Sequence, residues 1–209
     1  MFRHVLKEGK GPPLLFLHGF LGCGLDWNLT VQRLGDHTCI AYDLPGHGNS
    51  PWTTEALEFP EEPFHLIGYS LGGRLAMRFA LKHPERILSL TLLSAHYGLA
   101  TESEKQNRLQ SDEIWAHKLR TLSFDEFLRE WYAQAIFTSF VMRRTKQPEA
   151  LAQALLHWSL AHQPYYREEL LAFPRPLFIF YGALDTKFKA LYQNWSQATE
   201  IPNKGHNLL

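Results

Sequence analysis

His65-Leu-Ile-Gly-Tyr-Ser-Leu-Gly-Gly-Arg-Leu-Ala-Met-Arg-Phe-Ala80 is the stretch that decides how this chain folds. It opens on a short apolar run closed by glycine, the pattern of a buried strand. Its second half places Leu71, Leu75, Ala76, Phe79 and Ala80 on one face of a helix that stops at His83-Pro84. Between the two, Gly68-Tyr-Ser-Leu-Gly72 fits Gly-x-Ser-x-Gly, a sharp strand-to-helix turn that exposes a serine hydroxyl. The turn forces unusual backbone angles on Ser70, and neighbouring glycines remove the crowding that a Cβ would cause. The helix dipole behind Ser70 favours a developing negative charge. The spacing alone occurs in ordinary turns. With a strand before it and a helix after it, it reads as a nucleophile elbow.

Outward from the elbow, further apolar runs bounded by Gly or Pro read as buried parallel strands: Leu14–Leu17, Cys39–Tyr42, Leu88–Leu93 and Leu177–Tyr181. Helical segments alternate with them, so the expected architecture is α/β with a mostly parallel sheet. From about residue 97 to 171 no strand-like run occurs, and Thr101-Glu-Ser-Glu104 and Ser123-Phe-Asp-Glu126 read as capping boxes. This stretch is expected to be a helical lid inserted in one domain spanning 1–209. Between Asp43 and His65 the only helix candidate, Thr53 to Phe59, is at best two turns, so one crossover helix is expected to be short or lacking. The chain reaches Leu209 three residues after His206, so no closing C-terminal helix is expected either.

Composition narrows the function. With 209 residues the chain is long enough for one domain with a substantial core. Twenty-one basic and 21 acidic side chains give zero formal charge, so no long-range field gathers nucleic acid or an anionic membrane. The N-terminal residues lack the apolar run of a signal peptide, and no stretch is apolar for long enough to span a bilayer. Cys23 and Cys39 are too few for a disulfide framework or a four-cysteine zinc site. The expectation is a soluble cytoplasmic protein with no metal site, no cofactor and no nucleic-acid or membrane partner.

A serine hydroxyl becomes reactive when a histidine takes its proton and a carboxylate orients that histidine. In elbow folds the chain order is Ser, acid, His. After Ser70 the aspartates are Asp112 and Asp125, both in the helical stretch, and Asp185, in the loop that follows the strand Leu177–Tyr181. His206 follows in Lys204-Gly-His-Asn207, whereas His83, His96, His117, His157 and His162 lie in or beside helices. Ser70, Asp185 and His206 are therefore the expected triad. His18-Gly19-Phe20 closes the first parallel strand, and the amides of Phe20 and Leu71 are expected to form the oxyanion hole.

The complete set is Leu17-His-Gly-Phe20, Asp26-Trp27, Asp43-Leu-Pro-Gly-His-Gly48, Gly68-Tyr-Ser-Leu-Gly-Gly-Arg74, Asp185-Thr-Lys-Phe188 and Gly205-His-Asn207. With it the chain resembles the α/β hydrolases, and among them the 2-succinyl-6-hydroxy-2,4-cyclohexadiene-1-carboxylate synthases of menaquinone biosynthesis. The resemblance implies an α/β-hydrolase fold used as a lyase, with the triad serine removing a proton so that pyruvate is eliminated from a succinyl-cyclohexene carboxylate. It implies that Arg74, Arg108 and Arg143 hold the carboxylates of a small anionic substrate, and that Tyr69 and Trp131 line the site. An arginine fork suits a carboxylate on physical grounds as well, while Trp131 also has the helical spacing of a core residue beside Phe127 and Leu128. Two other readings use the same residues. One is a carboxylesterase or carbon–carbon hydrolase working through an acyl-enzyme; the other is a degenerate, non-catalytic interaction module.

Overall fold

The chain opens on β1 (Phe2–Lys7), followed by β2 (Leu14–Leu17), a 3-10 turn (Gly24–Trp27), α1 (Asn28–Val31) and β3 (Cys39–Asp43). The elbow segment is β4 (Phe64–Tyr69) and α2 (Leu71–Lys82), and β5 (Ile87–Leu93) comes next. Among the described residues four α-helices follow: α3 (Glu102–Thr121), α4 (Phe124–Tyr132), α5 (Pro148–His157) and α6 (Arg167–Leu171). The sheet resumes with β6 (Leu177–Gly182), α7 (Thr186–Tyr192) and β7 (Ala198–Ile201). The structure, a computed structural model, describes residues 1–55, 57–134, 136–137 and 147–209.

One seven-stranded sheet has the order β1-β3-β2-β4-β5-β6-β7. All of its pairings are parallel except that of β1 with β3. The five strands read from apolar runs form the continuous parallel centre. Most of their residues are buried or half-buried, β3 throughout, which is why the runs are apolar rather than strictly alternating; Phe178 of β6 is the exposed exception. The edge strands β1 and β7 have no such run: both are half-exposed and rich in polar residues, as edges that avoid pairing with other chains must be.

Among the described residues, no helix lies between β3 and β4, and none follows β7. The described residues between Thr53 and Phe59 form no helix, so the described part of the crossover over β2 is irregular chain. Trp52, Leu57 and Phe59 take over the covering role, packing onto the core formed by Leu66, Met77 and Ala80. The helices between β5 and β6 have their own core of Ala116, Leu119, Phe127, Leu128, Leu151 and Leu155. Thr101 and Ser123 each accept the N3 amide of their helix while the N3 glutamate reaches back, so both capping boxes form. No helix among the described residues is long and apolar enough to cross a membrane.

Candidate active site

The site grows from the place where the sheet changes direction. From β2 the chain crosses to β3 on one side, and β4 then lies on the other side of β2. Ligand crevices form at such switch points, beyond the carboxyl ends of the strands. Leu17 of β2 pairs with Gly68 of β4, so the turns that follow, His18–Phe20 and Tyr69–Ser70, are neighbours. Ser70 has φ 50° and ψ −110° and immediately precedes α2, and its N–H donates to Leu93 O at 2.9 Å. A Cβ on Gly72 would run into the carbonyls of Leu17 and His18, and one on Gly68 would meet Gly73 Cα at 2.5 Å. Both glycines of the motif are thus required by close backbone approach.

His206 Nε2 accepts from Ser70 Oγ at 3.0 Å, and its Nδ1–H donates to Asp185 Oδ2 at 2.9 Å. Asp185 caps α7, its Oδ1 accepting the Phe188 N–H at 3.2 Å, which leaves Oδ2 fixed toward the imidazole. The loop bearing His206 is tied down by the Leu184 N–H to Lys204 O bond of 2.9 Å. Its ring lies 5.1 Å from that of Phe188 and 5.7 Å from that of Tyr69. A hydroxyl bonded to an imidazole that a buried carboxylate orients is the arrangement for drawing a proton off serine.

The turn carrying Phe20 is braced from behind. His18 is fully buried; its Nδ1–H donates to Gly19 O at 2.7 Å and its Nε2 accepts the Leu44 N–H at 3.0 Å. Asp43 accepts the amides of Gly24 and Asn49 at 2.6 and 2.8 Å and lies 3.0 Å from His4 Nε2. Burial alone would raise the pKa of its carboxyl, but the bonds from Asn49, Gly24 and His4 take it below the usual range. His47 donates from Nδ1 to Pro45 O and packs 5.4 Å from the Phe20 ring. Burial first, and then His18, hold its pKa at about 3, so it stays neutral. The Asp43–Gly48 motif is therefore a structural knot behind the Phe20 turn. Leu71, as the first residue of α2, has an amide with no acceptor inside the helix.

Ser70, His206, Phe20 and Leu71 open onto a cavity of about 430 Å³. Trp115, Trp131, Phe137 and Trp158 build its apolar wall, and Arg74, Arg108 and Lys187 bring positive charge to it. Arg74 is fixed by Nε donating to Gln163 Oε1 at 3.0 Å and by a terminal nitrogen donating to Trp158 O. Burial and then Arg108 push its pKa down to about 9, still a cation at neutral pH. Arg108 Nε lies 2.9 Å from both oxygens of the buried Asp112. Desolvation and then Arg108 lower the pKa of Lys187. Among the described residues Asp112 is the only carboxylate lining the cavity, so cations outnumber it three to one.

Residues 12–208 match the alpha/beta hydrolase fold family. A 2-succinyl-6-hydroxy-2,4-cyclohexadiene-1-carboxylate synthase of Enterobacter sp. (strain 638) is 34% identical over 94% of this chain and 85% of its own length. That of Salmonella agona (strain SL483) is 32% identical over 98% of this chain and 90% of its own length. This chain belongs to the synthase family. Among solved structures, MenH from S. aureus superposes with a TM-score of 0.85 at 23% identity, covering 98% of this chain and 91% of that one. A carboxylesterase of the thaumarchaeon Nitrososphaera gargenis superposes at 0.76 with 14% identity, covering 98% and 86%. At those identities the likeness concerns the fold alone.

The synthase-like motifs fall around this cavity with some differences of detail. Of the residues expected to hold substrate, Arg74, Arg108 and Trp131 line the cavity. Trp131 also packs on Phe127 and Trp115, 5.7 and 5.1 Å between rings, so it serves the wall and the insert's core together. Tyr69 is not among the lining residues; its ring backs His206. Arg143 lies outside the described residues. Reading the sequence missed Ser94, His96 and Lys187, which also line the cavity, and Gln163 and Asp112, which steer the arginines. His96 and Ser94 follow β5 directly, and a rule that searches every loop at a strand's carboxyl end finds them.

Proposed function

We propose that this chain is a lyase that eliminates pyruvate from a succinyl-cyclohexene carboxylate, yielding 2-succinyl-6-hydroxy-2,4-cyclohexadiene-1-carboxylate for menaquinone biosynthesis. The observation that carries the reading is a Ser–His–Asp chain facing a cavity lined by three cations. Ester pockets are mostly apolar, whereas this one suits a ligand bearing several carboxylates. His206 takes the proton of Ser70, and the oxygen so formed removes the ring proton next to the succinyl carbonyl. The amides of Phe20 and Leu71 receive the charge that develops on that carbonyl oxygen. The ring double bond shifts, the C–O bond to the pyruvyl group breaks, and pyruvate departs as its enolate, recovering the proton from His206. No water is consumed and the scheme draws on no cofactor. Arg74, Arg108, Arg143 and Lys187 hold carboxylates, with Trp131 against the ring and the Tyr69 ring supporting His206. The helices between β5 and β6 act as the lid of a single domain. A cytoplasmic setting belongs to the same reading and agrees with two free cysteines.

The test supplies the purified protein with the succinyl enolpyruvyl cyclohexene and follows pyruvate with a coupled dehydrogenase. Stoichiometric pyruvate and diene are expected. Absence of pyruvate from a protein that binds the substrate would overturn the reading.

A further inference from the structure

The end of β5 carries polar groups that the scheme above does not use. Leu93 pairs with Tyr69 on one side and with Phe180 on the other, so Ser94 stands beside Ser70 at the carboxyl edge of the sheet. Ser94 is a non-glycine residue at φ 44°, in the left-handed region, and its N–H is committed to Phe180 O at 2.8 Å. Such angles are strained for a residue with a side chain and concentrate at functional sites. Its side chain lines the cavity, is 1% exposed, and its Oγ has no hydrogen-bond partner. A buried hydroxyl with nothing to bond calls for an explanation.

Two residues on, His96 lines the same cavity and is buried. Its Nδ1 accepts the Gly98 N–H at 3.1 Å, which puts the ring proton on Nε2. Its carbonyl is held by Gln163 Nε2 at 2.9 Å, and Gln163 is the residue that steers Arg74. Burial, then Lys187, Arg74 and Arg108, keep its pKa at about 3, so the imidazole never competes with the cations for an anion.

We infer that Ser94 Oγ and His96 Nε2–H form an uncharged subsite that takes the ring hydroxyl of the substrate. The inference rests on the proposed function and follows by matching partners. The carboxylates go to the cations and the succinyl carbonyl to the amides of Phe20 and Leu71. Apart from the ether oxygen, which leaves with pyruvate, the oxygen left over is a neutral hydroxyl, which needs one donor and one acceptor. His96 supplies the donor, and Ser94 supplies the acceptor.

The probes are the hydroxylated diene product and 2-succinylbenzoate, which keeps the succinyl and carboxylate groups but lacks the hydroxyl. Their Kd values are measured by calorimetry on the wild type, Ser94→Ala, Ser94→Gly and His96→Leu. Ser94→Gly removes the hydroxyl while relieving the backbone, so it stays informative if the alanine variant folds poorly. Each variant is expected to bind the product about five- to tenfold more weakly, and the benzoate within twofold of wild type. Equal weakening for both probes, or none for either, overturns the subsite. Wild type that binds neither probe overturns the proposed function itself.

Discussion

Ser70 is held by constraints from three directions: the Leu93 carbonyl on its N–H, the imidazole of His206 on its Oγ, and α2 starting directly behind it. Because the Leu93 bond and the start of α2 both survive when Oγ is removed, and only the His206 contact is lost, Ser70→Ala is expected to keep its melting temperature within about 2 °C while kcat for pyruvate release falls about a thousandfold or more. A well-folded variant with wild-type turnover would contradict the role of base. The cations behave differently. The lowered pKa of Lys187 means that it loses its charge at a pH below the ordinary lysine range. A base with a depressed pKa is charged below that value and neutral above it, so KM for the anionic substrate is expected to climb on the alkaline side. Lys187→Arg should move that climb to higher pH, because guanidinium keeps its proton. A KM that is flat with pH, or the same profile in the variant, would remove Lys187 from the binding set.

At the scale of elements, the elbow works because α2 and β4 press against the turn after β2. Gly72→Ala would force a methyl group into the carbonyls of Leu17 and His18. The expected cost is about 3 kcal/mol, which is roughly 10 °C in Tm for a chain of this size. Activity should fall as well, since the Phe20 and Ser70 turns are pushed apart; calorimetry with unchanged Tm would deny the contact. The same level shows what the sequence makes legible. The five central strands, α2 and both capping boxes carry local signals: apolar runs ended by Gly or Pro, one-sided helical spacing, and Ser or Thr three residues before Glu. The edges β1 and β7 carry none, because half-exposed strands have mixed composition. Ser70, Asp185 and His206 were readable from motif and chain order. Lys187, Ser94 and His96 were not singled out, because a lysine or histidine gains meaning only from what the sheet order brings beside it. Trp131 shows the limit in another way: its helical spacing fits core packing, and the structure gives it both the core and the cavity.

For the molecule as a whole, the buried neutral histidines tie stability to pH. His47 and His96 have pKa values of about 3 in the folded chain, against about 6.5 once unfolded. Between those values the unfolded state binds more protons, so stability falls as pH falls from about 6.5 toward 3. With both residues contributing, the slope is about 2 kcal/mol per pH unit. Urea midpoints at pH 7, 6 and 5 should decline accordingly, and His47→Gln should lessen the slope even if it lowers the plateau. A flat profile over that interval would mean that the imidazoles accept protons in place. The central claim is that a hydrolase-type triad here serves a cavity built for carboxylates, and it is tested most directly by comparing two substrates on one variant. For Arg108→Ala, kcat/KM for pyruvate release from the succinyl enolpyruvyl substrate is expected to fall roughly ten- to several-hundred-fold, the loss of a charge-assisted bond. Hydrolysis of a small neutral ester by the same variant should stay within about twofold of wild type. Brisk ester turnover by the wild type with no pyruvate release, and indifference of both reactions to Arg108, would contradict the account.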